Sequence, residues 1–186
     1  MKNNAAAGSA DYGFWYDLRT HPQGPSATLS VCPQGIPLGK FEGNRAHTNG
    51  RYGLHIFQTY VPRTDPCSPE SISDVNELDH NANPPITATF SDFTSYKNLR
   101  DGFEGGILGD VRLVDFRLAD NARAGIEVEL VTAPRGTIRS ENCTIVGHSA
   151  NQLDPITPAN VVGEVGIFGF IAPRKVGTFS VFCLIF

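Results

Sequence analysis

Methionine and tryptophan each occur once in the 186 residues, and only 18% of the side chains are charged. The 15 basic residues form no run, and the formal net charge is −4, so nothing here is suited to tracking a phosphate backbone. No stretch combines a helical apolar period with a capping box, which leaves helical bundles without support. The most apolar region, 161–186, is interrupted by Glu164, Arg174 and Lys175. It lacks the roughly 20 uninterrupted apolar residues of a membrane-spanning helix. Met1 to Gly8 has no apolar core of a signal peptide, so export would depend on sequence outside this chain, which reads as a fragment. The four cysteines, Cys32, Cys67, Cys143 and Cys183, include no CxxC pair, which argues against a zinc knuckle or a thioredoxin-type centre. GxSxG, HExxH and phosphate-loop motifs are absent as well.

What remains is a chain rich in turn formers, with 19 Gly and 13 Pro, and in Phe, with 12. That balance, with 40% hydrophobic residues, points to an all-β domain of many short strands. Three segments, 4–16, 44–56 and 116–128, align without gaps. Each places a small polar residue (Ser9, Asn49, Asn121) four positions before a glycine (Gly13, Gly53, Gly125), followed by an apolar-x-apolar strand. In Phe14/Tyr16, Leu54/Ile56 and Ile126/Val128 the paired side chains share one face and enter a core, while Trp15, His55 and Glu127 face outward. Asn before the strand suits a sharp corner through its tolerance of left-handed backbone angles. Glycine at the strand entrance permits close backbone approach. One strand with one corner cannot bury its own apolar face, so the units are expected to stack as a parallel β-helix solenoid. The alternative is an antiparallel sandwich. The spacings of 40 and 72 residues are expected to hold two and three coils of roughly 20 to 25 residues. Gly102-Phe-Glu-Gly-Gly106 reads as a turn, and 137–146 as strand, corner, strand.

The whole of 1–186 reads as a single β-helix segment with loop insertions at about 17–40 and 62–85, leaving 153–168 outside the pattern. One cysteine lies in each insertion, and a Cys32–Cys67 disulfide clamping both is expected. Asn142-Cys143-Thr144 is a glycosylation sequon, which makes Asn142 a candidate acceptor in a secretory setting. Trp15, outward by alternation, is the candidate carbohydrate contact. Asp110, Asp115, Asp120, Glu127 and Glu129, with His47 and His55, are the groups able to bear chemistry. Exposed neighbouring carboxylates most often form a solvated wall, and the two histidines have no third ligand. No catalytic, cofactor or metal residue is assigned. The acidic stretch from Asp65 to Asp79 is the only place where calcium comes into question, and its spacing matches no EF-hand.

The runs Gly13-Phe-Trp-Tyr16, His21-Pro-Gln-Gly-Pro-Ser26, Cys32-Pro33, Pro37-Leu-Gly39, Asn44-Arg-Ala-His47 and Gly53-Leu54 resemble the β-helix region of the fibrocystin-L family. So do Tyr96-Lys-Asn98, Gly109-Asp-Val111, Ala119-Asp-Asn121, Ala124-Gly-Ile126 and Gly169-Phe-Ile-Ala-Pro-Arg174, in order along almost the whole chain. That family includes fibrocystin and the CEMIP-type hyaluronan-active proteins. The resemblance implies a right-handed parallel β-helix, truncated at both ends, from the ectodomain of a large G8-containing extracellular or single-pass membrane protein. It implies a non-catalytic structural and recognition module; the alternative is a glycan-binding or hyaluronan-depolymerising module. The partners implied are an extracellular glycan, a matrix or cell-surface protein, and the rest of the parent ectodomain. Nucleic acid and membrane insertion by this segment are not expected.

Overall fold

A computed structural model describes residues 1–68, 83–131, 136–147, 149, 168–173 and 178–186. Its strands are β1 (Ala5–Ala7), β2 (Tyr12–Leu18), β3 (Phe41–His47), β4 (Tyr52–Tyr60), β5 (Ala88–Tyr96), β6 (Asp101–Leu108), β7 (Val111–Ala119), β8 (Ala124–Val131), β9 (Thr137–Val146), β10 (Phe168–Ile171) and β11 (Thr178–Ile185). Odd-numbered strands form a six-stranded sheet in the order β1-β3-β5-β7-β9-β11, and even-numbered strands a five-stranded sheet in the order β10-β8-β6-β4-β2. Every strand pair within the two sheets is parallel. The chain therefore climbs one coil for each odd–even pair, as a parallel β-helix, and like positions stack on like.

Stacking turns a short apolar motif into continuous interior columns. Phe14, Leu54, Phe103, Ile126 and Phe170 are register partners from coil to coil. Across the interior, Phe41 pairs with Phe90 and Phe90 with Leu113, while Phe93 pairs with Phe116. Their rings meet edge-on or tilted, as in Phe14–Phe41 at 5.8 Å and Phe93–Phe116 at 5.3 Å, the arrangement that aromatic quadrupoles favour. Phe41, Leu54, Phe90, Phe93, Phe103, Leu113, Phe116 and Ile126 are all at most 1% exposed. At ~25 cal/mol per Å2 of apolar surface removed from water, these columns dominate the stability.

Two sharp bends per coil are built from left-handed residues. The first runs through Asn3, Gly43, Asp92, Asp115 and Asn142, at φ from 47° to 66°, midway along the odd-numbered strands or at their register. The second lies between the sheets at Gly8, Thr48 and Lys97, with Asp120 above them, at φ from 54° to 69°. The residue that turns left-handed is thus the one before Ser9, Asn49 or Asn121, and not the Asn itself. The Asn side chain instead spans coils. Asn49 donates from its main-chain N and its Nδ2 to Asn98 Oδ1 at 3.2 and 2.9 Å, and Asn98 donates likewise to Asn121 Oδ1 at 3.2 and 2.8 Å. Ser9 N donates to Asn49 Oδ1 at 3.2 Å, extending the ladder to the first coil.

Register also corrects the coil count. Gly13, Gly53, Gly102, Gly125 and Gly169 share one column, because the residues beside them pair in order. The 40-residue spacing is therefore one coil, and the 72-residue spacing two. The insertions lengthen single coils instead of filling additional ones. Gly102 to Gly106 is not a turn but part of β6, and 137–146 is one strand bent at Asn142.

The first two insertions pack on each other. Val61 N and Arg63 N donate to Gln34 O and Gly35 O, each at 2.9 Å, and a Cβ on Gly35 would stand 2.6 Å from Pro66 O. A disulfide joins Cys32 and Cys67, with Cα atoms 5.2 Å apart. Residues 69–82 and 150–167, which carry most of the acidic stretch and of the 153–168 segment, lie outside the described residues. Among the described residues no helix is long and apolar enough to cross a membrane.

Candidate functional site

The glycine column decides what faces outward beside it. Two positions after each glycine, the outer face of the five-stranded sheet carries Trp15, His55, Glu104, Glu127 and Ile171, which are register partners in that order. A row of aromatic side chains thus gives way, coil by coil, to a row of carboxylates.

Trp15 is 51% exposed. His55 is on the outer face as its alternation requires, yet only 6% exposed. Its ring stacks on Tyr12 at 4.9 Å and on Tyr52 at 4.7 Å, with ring planes within 9°. Tyr12 and Tyr52 are register partners stacked at 5.7 Å, and Trp15 lies 5.2 Å from Tyr12. Arg100 covers the far side of the cluster, its Cζ 5.2 Å from the Tyr52 ring centre. This encloses the Tyr52 phenol, and burial pushes its pKa up to about 12.

Glu104 is 4% exposed and makes close contact with His55 Nδ1. Burial raises its pKa; His55 acts against that rise, and the Glu129 and Asp101 charges add to it. Asp101 is fully buried and accepts two bonds from Arg123, Nε to Oδ1 at 3.1 Å and Nη2 to Oδ2 at 2.6 Å. Even so, burial outweighs the guanidinium and raises its pKa too. Arg123 also holds Glu127, four residues on. Glu129 is exposed. An open groove of about 580 Å3 runs through this region, lined by Tyr12, Tyr52, His55, Phe57, Glu104 and Glu129, with Arg51 at its edge. Arg51 is committed to Asp11 at 3.1 Å.

The structure brings Trp15, His55, Glu127 and Glu129 to this face, and leaves the other sequence candidates elsewhere. His47 stacks on Tyr96 of the six-stranded sheet, 4.8 Å between ring centres. Asp115 and Asn142 stand together at the strand bend, and the Asn142 amide donates to the Asp115 carboxylate. Asn142 is exposed there. Asp120 accepts from Ser149 N at 2.6 Å and from its hydroxyl at 2.8 Å, which fits a corner residue holding a backbone amide. Asp110 lies at the start of β7, its main-chain O accepting from Ala88 N at 2.9 Å. Among the described residues no three or more His, Cys, Asp or Glu side chains are grouped as metal ligands would be. Tyr12, Tyr52, Asp101, Glu104 and Arg123 do not stand out in the sequence. Asn98 stands four residues before Gly102, the same offset as Asn49 and Gly53, and reading that repeat would have placed Glu104 beside His55.

A family model described as CEMIP beta-helix matches residues 1–54. Mouse (Mus musculus) fibrocystin-L is 34% identical over 157 residues, covering 80% of this chain and 3% of its own length. The mouse cell migration-inducing and hyaluronan-binding protein is 34% identical over 170 residues, 80% of this chain and 12% of its own length. Human (Homo sapiens) cell surface hyaluronidase CEMIP2 is 35% identical over 181 residues, 90% of this chain and 12% of that protein. The chain thus spans only a small part of the relatives it matches. Parallel coils, repeating corners and these likenesses agree that the chain is a parallel β-helix of the fibrocystin-L and CEMIP family.

Proposed function

We propose that this β-helix is an extracellular recognition module that holds a glycan along the outer face of its five-stranded sheet, without cleaving it. The carrying observation is the exposed Trp15 standing beside Tyr12, whose ring stacks with those of Tyr52 and His55 in the wall of the groove. Flat apolar rings beside polar groups match the alternating apolar and hydroxyl faces of a sugar. Two of the relatives are named for hyaluronan, which makes glycans the first ligand class to consider, and one is named as a cell-surface protein. Holding without cleaving is supported by how the carboxylates are engaged. Arg123 holds Asp101 and Glu127, and Glu104 is buried against His55. A glycosidase needs two carboxyl groups free to reach opposite sides of one bond.

The test is binding of the purified chain to surface-bound oligosaccharides, neutral and uronate-containing, with Trp15→Ala beside it. Saturable binding to at least one sugar, weakened about tenfold by Trp15→Ala, is expected; stacked aromatic contacts are worth about 0.5–1.5 kcal/mol. Binding unchanged by Trp15→Ala would remove the platform from the reading. Incubation with sized hyaluronan is expected to leave its length unchanged, and shortened chains would replace holding with depolymerisation.

A further inference from the structure

We infer that the groove selects sugars that carry no carboxylate or sulfate, and so takes a neutral N-acetylhexosamine-type segment in preference to a uronate-bearing one. This rests on the glycan reading and narrows it. Charge accounting within one face leads to it. The carboxylates of that face are Asp11, Asp101, Glu104, Glu127 and Glu129; its guanidinium groups are Arg51, Arg100 and Arg123. Arg51 is held by Asp11, and Arg123 by Asp101 and Glu127. Arg100 lies over the Tyr52 ring, and His55 is in contact with Glu104. Asp17, next along β2, is matched by Arg19 at 2.9 Å. Arg51 and Arg123 are therefore matched by carboxylates, and Arg100, which has no ion pair among the described residues, does not line the groove, whereas Glu129 lines it, is exposed, and has no ion pair among the described residues.

An incoming carboxylate would meet Glu129 and the carboxylates beside Arg123 and His55, with no unpaired guanidinium among the residues lining the groove to receive it. Like-charge juxtaposition discriminates between partners whose shapes are otherwise similar. The aromatic rings and buried polar groups impose no such barrier on a neutral ring, whose acetamido methyl and apolar face can lie on Trp15 and Tyr12. Glu104 and the two tyrosines enclose His55 and fix its ring as a wall of the groove.

The experiment is titration of the full chain with two tetrasaccharides, one of N-acetylglucosamine only and one of hyaluronan, at low and high salt. The two share N-acetylglucosamine and differ in the uronate. Tighter binding of the neutral sugar by about tenfold or more is expected, with the gap narrowing at high salt. Glu129→Gln, at an exposed position that leaves the fold alone, is expected to narrow it at low salt by strengthening hyaluronan binding. Equal or tighter binding of hyaluronan to the unmodified chain would overturn the inference and leave the glycan reading standing. A gap unaffected by both salt and Glu129→Gln would also overturn it, since charge would then not be its origin. Binding of neither sugar would overturn the glycan reading itself, and the inference with it.

Discussion

Asn98 is fully buried, and its side chain links three coils: it accepts from Asn49, and donates to Asn121 and to Ser95 Oγ at 2.9 Å. Replacing it by Ala would leave two buried donors of Asn49 without their acceptor, while Asn121 Oδ1 keeps only its bond from the main-chain N of residue 98. A buried polar group that loses its hydrogen bond costs about 1–3 kcal/mol. Asn98→Ala is therefore expected to lower stability by about 3 kcal/mol, read as a shift in the urea midpoint, and Ser9→Ala at the exposed end of the ladder by far less. A second residue-scale effect has the opposite sign from ordinary surface carboxylates. Glu104 and Asp101 have folded-state pKa values raised, chiefly by burial. Such a group binds its proton more tightly in the folded protein than in the unfolded one. Its stabilising contribution is full below the ordinary carboxylate range and is lost as pH rises through the raised folded value. Glu42 behaves conversely: Lys40 and Lys2 lower its pKa, so its contribution appears above that range and fades on acidification. In thermal melts between pH 4 and pH 7, Glu104→Gln is expected to flatten the decline toward neutral pH. A decline as steep as in the unmodified chain would show that Glu104 is not its source.

Whole strands depend on the glycine column. A Cβ on Gly53 would stand 1.9 Å from Ser95 Oγ and 2.6 Å from Gly102 O, at the point where the corner presses two coils together. Overpacking of this kind costs about 1–3 kcal/mol, so Gly53→Ala is expected to destabilise by that amount in chemical denaturation. At the neighbouring bend the opposite is expected. Thr48 is β-branched and sits at φ 57°, a strained state for such a residue. Thr48→Gly is expected to gain about 1 kcal/mol, the relieved strain exceeding the entropic cost of glycine. These two positions also show what could be read from sequence. The offset from Asn49 to Gly53 gave the strand entrances and their inward faces, because a two-residue period and a need for close approach are local properties. The number of residues per coil was not local. It is fixed by which glycines stack, and the insertions hide that register until Asn98 and Gly102 are recognised as another copy. The site followed the same rule. Trp15 was legible as an outward side chain, but the burial of His55 depends on Tyr12 from one coil and Glu104 from another, and no single segment contains that arrangement.

At the scale of the molecule, a solenoid is held by contacts between successive coils, so distant coils influence each other only through those between. The Cys32–Cys67 bond closes a loop of 35 residues between the first two insertions. In the chain-entropy account, losing it costs about 3–4 kcal/mol, and the Cys32→Ser, Cys67→Ser double variant is expected to show that loss in urea unfolding. Cys143 and Cys183 lie on the far coils as register partners of β9 and β11. The Cys183 sulfur and burial hold the Cys143 thiol above its usual range, so it stays protonated and unreactive while covered. What covers it is β11, whose Phe182, Leu184 and Ile185 are each more than half exposed. A strand with that much apolar surface in water opens at low cost compared with the buried Phe columns. Maleimide labelling of Cys143 in the native protein is therefore expected to follow local release of β11, and to proceed at the same rate in the clamp variant as in the unmodified chain. A rate raised about a hundredfold, matching a loss of roughly 3 kcal/mol, would mean instead that the coils open as one cooperative unit from the clamp to β11.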